Sequence, residues 1–175
     1  MKKLHNLTFI LGGASSGKSA YAEGLVISTG RPRTYIATAQ AFDDEMRQKI
    51  AAHVAQRGTG WTTLDAPFDP AAVLVTQRSD GIVLLDCVTL WLSNVLLSGL
   101  DVDAASDALL AALAACSCPV VVVSNEVGMG IVPDNALSRR FRAAQGRINR
   151  QLAAQADTVV AVMAGLPLVL KGDLP

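Results

Sequence analysis

The octapeptide "GGASSGKS", Gly12 to Ser19, follows a short β-branched run, "LTFIL", and leads into the helix-patterned "SAYAEGL". It satisfies G-x-x-x-x-G-K-[ST] at every fixed position and in the strand-loop-helix setting that gives the pattern meaning. In that setting the loop turns main-chain amides inward around an anion, because a side chain at Gly12 or Gly17 would obstruct the approach. Lys18 is placed to neutralise β- and γ-phosphates, Ser19 offers a hydroxyl to Mg²⁺, and the helix N-terminus adds partial positive charge. The motif predicts a nucleoside triphosphate site built on Gly12, Gly13, Ala14, Ser15, Ser16, Gly17, Lys18 and Ser19.

Such a loop belongs at the end of a strand in an open α/β sheet, and the rest of the chain supplies the other strands. "RTYIAT" (33–38), "GIVLLD" (81–86), "PVVVVSN" (119–125) and "TVVAVMA" (158–164) are continuous apolar runs separated by helical patterns. Strands of that kind predict a mostly parallel sheet covered on both faces. "LPLVLKG" follows the last of them too soon for a helical crossover and is expected to return antiparallel as an edge. Residues 137, 141, 144, 148 and 152 make one apolar stripe on a long helix that Asp134 or Asn135 can cap. Arginines 139, 140, 142, 147 and 150 flank the stripe, either as a solvated face with i,i+4 partners or with one or two of them on phosphate. "SGLDVDAASD" (98–107) reads as a loop before an Ala/Leu helix. The 175 residues are long enough for one well-buried core, and residues 1–175 are expected to form a single nucleotide-binding catalytic domain.

Composition removes several partners. Fifteen basic and fifteen acidic side chains cancel, so no overall field favours nucleic acid or an anionic membrane. The apolar stretch "ALLAALAACSCPVVVV" is broken by Ser117 and Pro119 and falls short of the ~20 residues a membrane helix needs. The start of the chain runs into the glycine-rich loop without a cleavage-site pattern, so a cytoplasmic protein is expected. Cys87, Cys116 and Cys118 match no zinc or redox spacing and are expected to be reduced and buried.

Carboxylates at strand ends come next. Asp86 closes "GIVLLD", where open α/β sheets collect ligands, and is assigned with Ser19 to Mg²⁺. Asn125 and Glu126 close the following strand; Glu126 can orient a nucleophile or merely cap a turn. The absence of N-K-x-D argues against a guanine-selective switch, and the balanced charge against a DNA-handling recombinase, which leaves a metabolite kinase as the better reading. Residues 43–57, "DDEMRQKIAAHVAQR", read as a helix on which Met46, Ile50, His53 and Arg57 share a line. By pattern alone His53 belongs to packing.

Taken together, "GGASSGKS", "YIATAQAFDDEM" with the downstream histidine, "LLDCVTLWLSN", "VVVSNEVGMGIVP" and "AAQGRINRQLAAQADTVVAVMAGLPLVLK" resemble the adenosylcobinamide kinase / adenosylcobinamide-phosphate guanylyltransferase family, over about residues 6–171. The resemblance implies a P-loop NTPase of RecA-like type, in agreement with the strand pattern. It implies two reactions: phosphorylation of the aminopropanol hydroxyl of adenosylcobinamide by ATP or GTP, then transfer of GMP from GTP through a guanylyl-histidine. His53 matches the histidine, and Lys18 and Arg57 are cations able to offset the charge. Nucleotide contacts carry over onto Gly12 to Ser19, onto Ala37, Thr38 and Ala39, onto Val54, Ala55, Gln56 and Arg57, and onto Asp65 and Asp86. The resemblance also implies a homo-oligomer, a trimer. Trp91 and Leu92 can serve an interface or the core. Four positions depart from the usual pattern: Val54 and Ser15 stand for Arg, Gly58 for Pro, and Asp65 for Glu. The competing readings are a kinase lacking the guanylyl step, suggested by Val54 and Ser15, and a nucleotide-dependent switch without turnover.

Overall fold

The structure is a computed structural model that describes residues 6–173. Its elements run β1 (Leu7–Gly12), α1 (Lys18–Ser28), β2 (Arg33–Ala37), α2 (Asp44–Arg57), β3 (Trp61–Asp65), α3 (Pro70–Leu74), β4 (Ile82–Asp86), α4 (Val88–Leu97), α5 (Val102–Ala115), β5 (Val120–Asn125), α6 (Ala136–Gln155), β6 (Thr158–Met163) and β7 (Leu166–Lys171). The strands form one seven-stranded sheet in the order β3-β2-β4-β5-β1-β6-β7. Every pairing is parallel except β6 with β7, the antiparallel edge hairpin expected from the short connection.

Alternation along the strands divides the core in two. Phe9, Val83, Leu85, Val120, Val122 and Val159 point to the face covered by α3 to α6, while Ile10, Leu84, Val121, Val123 and Val160 point to the face covered by α1. Because side chains of successive strand residues alternate sides, strands apolar at every position must be buried on both. Trp91 and Leu92 are fully buried in the first cluster, so they are core, and the Trp91 indole N–H donates to the Phe68 carbonyl at 3.0 Å.

The structure departs from the sequence pattern at several places. β3, "WTTLD", is a strand that the sequence pattern did not reveal: it pairs only with β2, and its half-exposed, polar burial pattern lacks an apolar run. The loop expected over 98–107 is much shorter, because Asp101 caps α5 by accepting from the amides of Asp103 and Ala104, both at 3.0 Å. The apolar stripe of α6 holds at Ala144, Ile148 and Leu152, but Leu137 is exposed. Asn135 is the residue that caps this helix, accepting from Ser138 N at 2.7 Å. Three of the α6 arginines find partners outside their own helix, whose residues 136–155 contain no acid. Arg139 donates to the Pro133 and Asp134 carbonyls, Arg142 to the Gly128 carbonyl, and Arg147 pairs with Asp103 at 3.0 Å. Cys87 and Cys118 are buried as expected and all three thiols are free, but Cys116 is only half-buried.

Candidate functional site

Parallel pairing brings the carboxyl ends of five strands to one edge. Gly12 is in register with Asn125, Asp86 with Val123 and Ala37, and Ala37 with Asp65. A cavity of about 360 Å³ opens there, lined by Lys18, Ser19, His53, Arg57, Asp86 and Asn125 among others.

Of the loop from Gly12 to Ser19, Lys18 and Ser19 line this cavity and Ser15 to Ser19 an adjoining cleft, while Gly12 and Gly13 border neither. A Cβ at Gly12 would stand 2.5 Å from Ser16 Oγ and 2.6 Å from the Val162 carbonyl oxygen, so only glycine fits. Gly17 caps α1 with φ 91°, a left-handed conformation that glycine adopts without penalty. Lys18 Nζ donates to the Gly13 carbonyl at 3.0 Å, and Gly165 N donates to the Ser16 carbonyl at 2.8 Å, which ties the loop to the turn between β6 and β7. These bonds hold the loop in one conformation.

Asp86 ends β4 at the cavity. Burial pushes its pKa upward, opposed by the Ser19 hydroxyl that hydrogen-bonds it and by His53 and Lys18 nearby. Tyr35 donates its hydroxyl to Asp86 Oδ2 at 3.3 Å, and burial followed by the Asp86 charge raises the phenol's own pKa. Ser19 and Asp86 thus present two hard oxygens side by side at the end of the phosphate loop. That donor set fits a divalent cation completed by phosphate oxygens.

α2 walls the other side. Asp43 caps it, accepting from Met46 N at 2.7 Å, and Met46, Ile50, His53, Val54 and Arg57 all line the cavity. The half-apolar stripe that suggested packing therefore faces the site. His53 is exposed and also borders the cleft formed by Ser15, Ser16, Gly17, Lys18 and Ser19, with Gln56 beside it. Arg57, by contrast, is buried: its guanidinium lies 3.6 Å from the Tyr35 ring centroid and donates to Thr63 Oγ1 at 2.9 Å, while its Nε has no partner.

Not every predicted contact lines the cavity. Ala37, Ala39, Asp65 and Val54 do. Thr38 is fully buried and its hydroxyl is spent on Cys87, donating to the carbonyl at 2.7 Å and accepting from the amide at 2.9 Å. Ala55 and Ala14 border neither the cavity nor the cleft, and Gln56 borders only the cleft. Glu126 accepts from Gly128 N within its own turn and Asp43 caps α2, and neither lines the cavity. Two site residues went unread. Tyr35 alternates with Ala37 along β2 and so shares its face. Glu23, four residues after Ser19 on α1, is a buried carboxyl whose Oε1 has no partner and whose neighbours are Asp86, His53, Arg57 and Gln56. The i,i+4 spacing from the phosphate-loop serine was the available signal.

The fold and this site define a P-loop nucleotide-binding protein. The chain belongs to the cobinamide kinase / cobinamide phosphate guanyltransferase family, CobU, which it matches over residues 8–170. It is 44% identical over 167 residues to the bifunctional adenosylcobalamin biosynthesis protein CobP of Pseudomonas aeruginosa, spanning 94% of this chain and 96% of that protein. It is 38% identical over 182 residues to CobU of Salmonella typhimurium, spanning 94% and 99%. Among solved structures, the RadB recombinase superposes with a TM-score of 0.53 at 16% identity, covering 89% of this chain and 73% of that one. A Pyrococcus horikoshii OT3 protein, PH0250, gives 0.57 at 9% identity, covering 97% and 87%. These two likenesses concern the fold alone.

Proposed function

We propose that this chain, acting as one catalytic domain, phosphorylates the aminopropanol hydroxyl of adenosylcobinamide with ATP or GTP and then joins GMP from GTP to the product. His53 is the nucleophile of the second reaction. In the first, the hydroxyl oxygen bonds to the γ-phosphorus, the bond from γ-phosphorus to the bridging oxygen breaks, and the hydroxyl proton goes to solvent. In the second, an imidazole nitrogen of His53 bonds to the α-phosphorus of GTP and pyrophosphate leaves. A phosphate oxygen of adenosylcobinamide phosphate then displaces the imidazole, so two easier transfers replace one difficult one.

One observation carries this reading: His53 borders both the cavity and the phosphate-loop cleft, and shares Lys18 and Ser19 with each. A nucleotide whose triphosphate lies on the loop is thereby within reach of the ring without any rearrangement of the sheet. Lys18 offsets the charge on the phosphates, and Arg57, with an unpaired donor beside the cavity, assists at the nucleotide. Ser19 and Asp86 hold Mg²⁺, which supplies charge neutralisation to the phosphates when bound. Asp65 at the end of β3 supplies a carboxylate for the ribose or guanine. Balanced charge supports a small-molecule corrinoid substrate with no nucleic-acid partner. Three free thiols support a cytoplasmic setting.

The discriminating experiment assays both reactions in His53→Ala. Formation of adenosylcobinamide phosphate persists and GMP transfer disappears if the assignment is right. Equal loss of both reactions, or retention of GMP transfer, contradicts it. A wild-type protein that phosphorylates but never transfers GMP selects the kinase-only reading, which the departure at Val54, half-exposed on the cavity wall, favours.

A further inference from the structure

Asn125 ends β5, the strand inserted between the phosphate-loop strand β1 and the Asp86 strand β4. It is in register with Gly12 and lines the cavity with Lys18, Ser19 and Asp86. Its main chain is held from two directions, the amide donating to Thr89 Oγ1 at 2.8 Å and the carbonyl accepting from Asn149 Nδ2 at 3.0 Å. Asn149 belongs to a buried polar cluster inside an otherwise apolar layer. Ser124 Oγ donates to Asn149 Oδ1 at 2.7 Å, and Gln145 Nε2 donates to Ser124 Oγ and to Asn149 Oδ1, both at 2.9 Å. Polar groups are tolerated in such a place only when they are paired, and a paired network fixes one arrangement.

Two buried oxygens here have no partner, Gln145 Oε1 and Asn125 Oδ1, and of the two residues Asn125 is the one that lines the cavity. Its donor end is also unengaged: Nδ2 makes no hydrogen bond to the described residues and, unlike Oδ1, is not among the buried unpartnered atoms, so the N–H group is the accessible end of a firmly held residue. A rigidly mounted amide whose N–H donor is unengaged, beside Lys18, Ser19 and Asp86, is suited to an anionic oxygen of a substrate. Glu126, the next residue, is turned into its own loop and does not line the cavity.

We propose that Asn125 is a catalytic residue of the phosphoryl-transfer step, its amide N–H donating to the terminal phosphoryl group of the nucleotide held by the loop. The inference rests on the kinase reading given above. As the hydroxyl oxygen bonds to the γ-phosphorus and the electron pair of the breaking bond leaves with the diphosphate, negative charge spreads over the equatorial phosphoryl oxygens. A preorganised donor there stabilises the transition state more than the bound nucleotide. Asn125 transfers no proton. Attack of His53 takes place at the α-phosphorus, two phosphorus atoms away, and gains little from the same contact.

The test uses the full chain with Asn125→Ala and Asn125→Asp, in which the main-chain bonds to Thr89 and Asn149 remain. The kcat for phosphorylation of adenosylcobinamide falls by ~10²-fold or more in both variants, the loss typical of removing one transition-state donor. The nucleotide KM stays within roughly threefold, as expected when an interaction made mainly in the transition state is removed. The Tm and the amount of GMP taken up by His53 stay near wild type. A kcat within about twofold of wild type overturns the proposal. So does a parallel loss of Tm and of both reactions, which would make Asn125 a scaffold residue. Failure of the kinase reading has a different signature: the wild-type chain forms no phosphorylated corrinoid, and the proposal falls with it.

Discussion

At position 57 a guanidinium lies over the Tyr35 ring, bonds Thr63 and keeps one nitrogen unpaired beside the cavity. Arg57 and His53 are legible as members of one helical line, but the line does not say which way it faces; the contacts of Arg57 with Tyr35 on β2 and Thr63 on β3 decide that. Lys18, Ser19 and Asp86 were legible because a loop pattern and a strand end locate them without any tertiary knowledge. Tyr35, Glu23 and Asn125 were not assigned, since each becomes informative only through what surrounds it. The cysteines give a residue-level prediction. Cys118 lies 3.7 Å from Cys116, and the hydrogen bond between the sulfurs holds the Cys116 thiol down at about 6, whereas burial pushes Cys87 up to about 12. At neutral pH, iodoacetamide should therefore alkylate Cys116 first and leave Cys87 unmodified until the protein unfolds, as peptide mass mapping would show. Equal labelling of Cys87 and Cys116 in the native protein would contradict these environments.

Among the elements, α1 and α2 form a clamp whose meeting point is Glu23. Burial, followed by the charge of Asp86, raises the Glu23 carboxyl above its ordinary 4.5, and His53, Arg57 and Gln56 only partly offset this. In the folded chain Glu23 therefore holds its proton to higher pH than in the unfolded chain. Stability falls as pH rises through the interval between the unfolded and folded values, and the deficit persists above it. Glu23→Gln removes that dependence. Its Tm should gain on wild type as pH is raised from 4 to 7, in thermal melts followed by circular dichroism; a difference that shrinks over the same range would reverse the sign of the argument. β3 teaches a complementary lesson about legibility. The other parallel strands are buried on both faces and show it as apolar runs, whereas β3 is an edge with Thr62, Thr63 and Asp65 in five residues, which no period-based reading separates from a loop.

For the whole molecule, the sheet order puts β5 between β1 and β4 and gathers the ends of β1, β2, β3, β4 and β5 into one crevice, so the site is a consequence of topology as much as of motif. The far edge has a different character. Leu166, Leu168 and Leu170 alternate along β7 and are 71%, 57% and 56% exposed. An apolar row on an edge strand invites association, and a homo-oligomer would bury it. Light scattering should show a mass above one chain for wild type and a smaller one for the double substitution Leu168→Lys, Leu170→Lys. An unchanged mass would exclude this edge from the contact.

The central claim is that the His53 ring reaches the α-phosphorus of a nucleotide seated on the Gly12 to Ser19 loop. Incubating the chain with GTP and Mg²⁺, quenching in base and mapping the peptides by mass spectrometry tests it directly. One GMP increment is expected, on His53, absent from His53→Ala and from Lys18→Ala. A GMP adduct on another residue, or none when adenosylcobinamide phosphate is nonetheless converted, would contradict it.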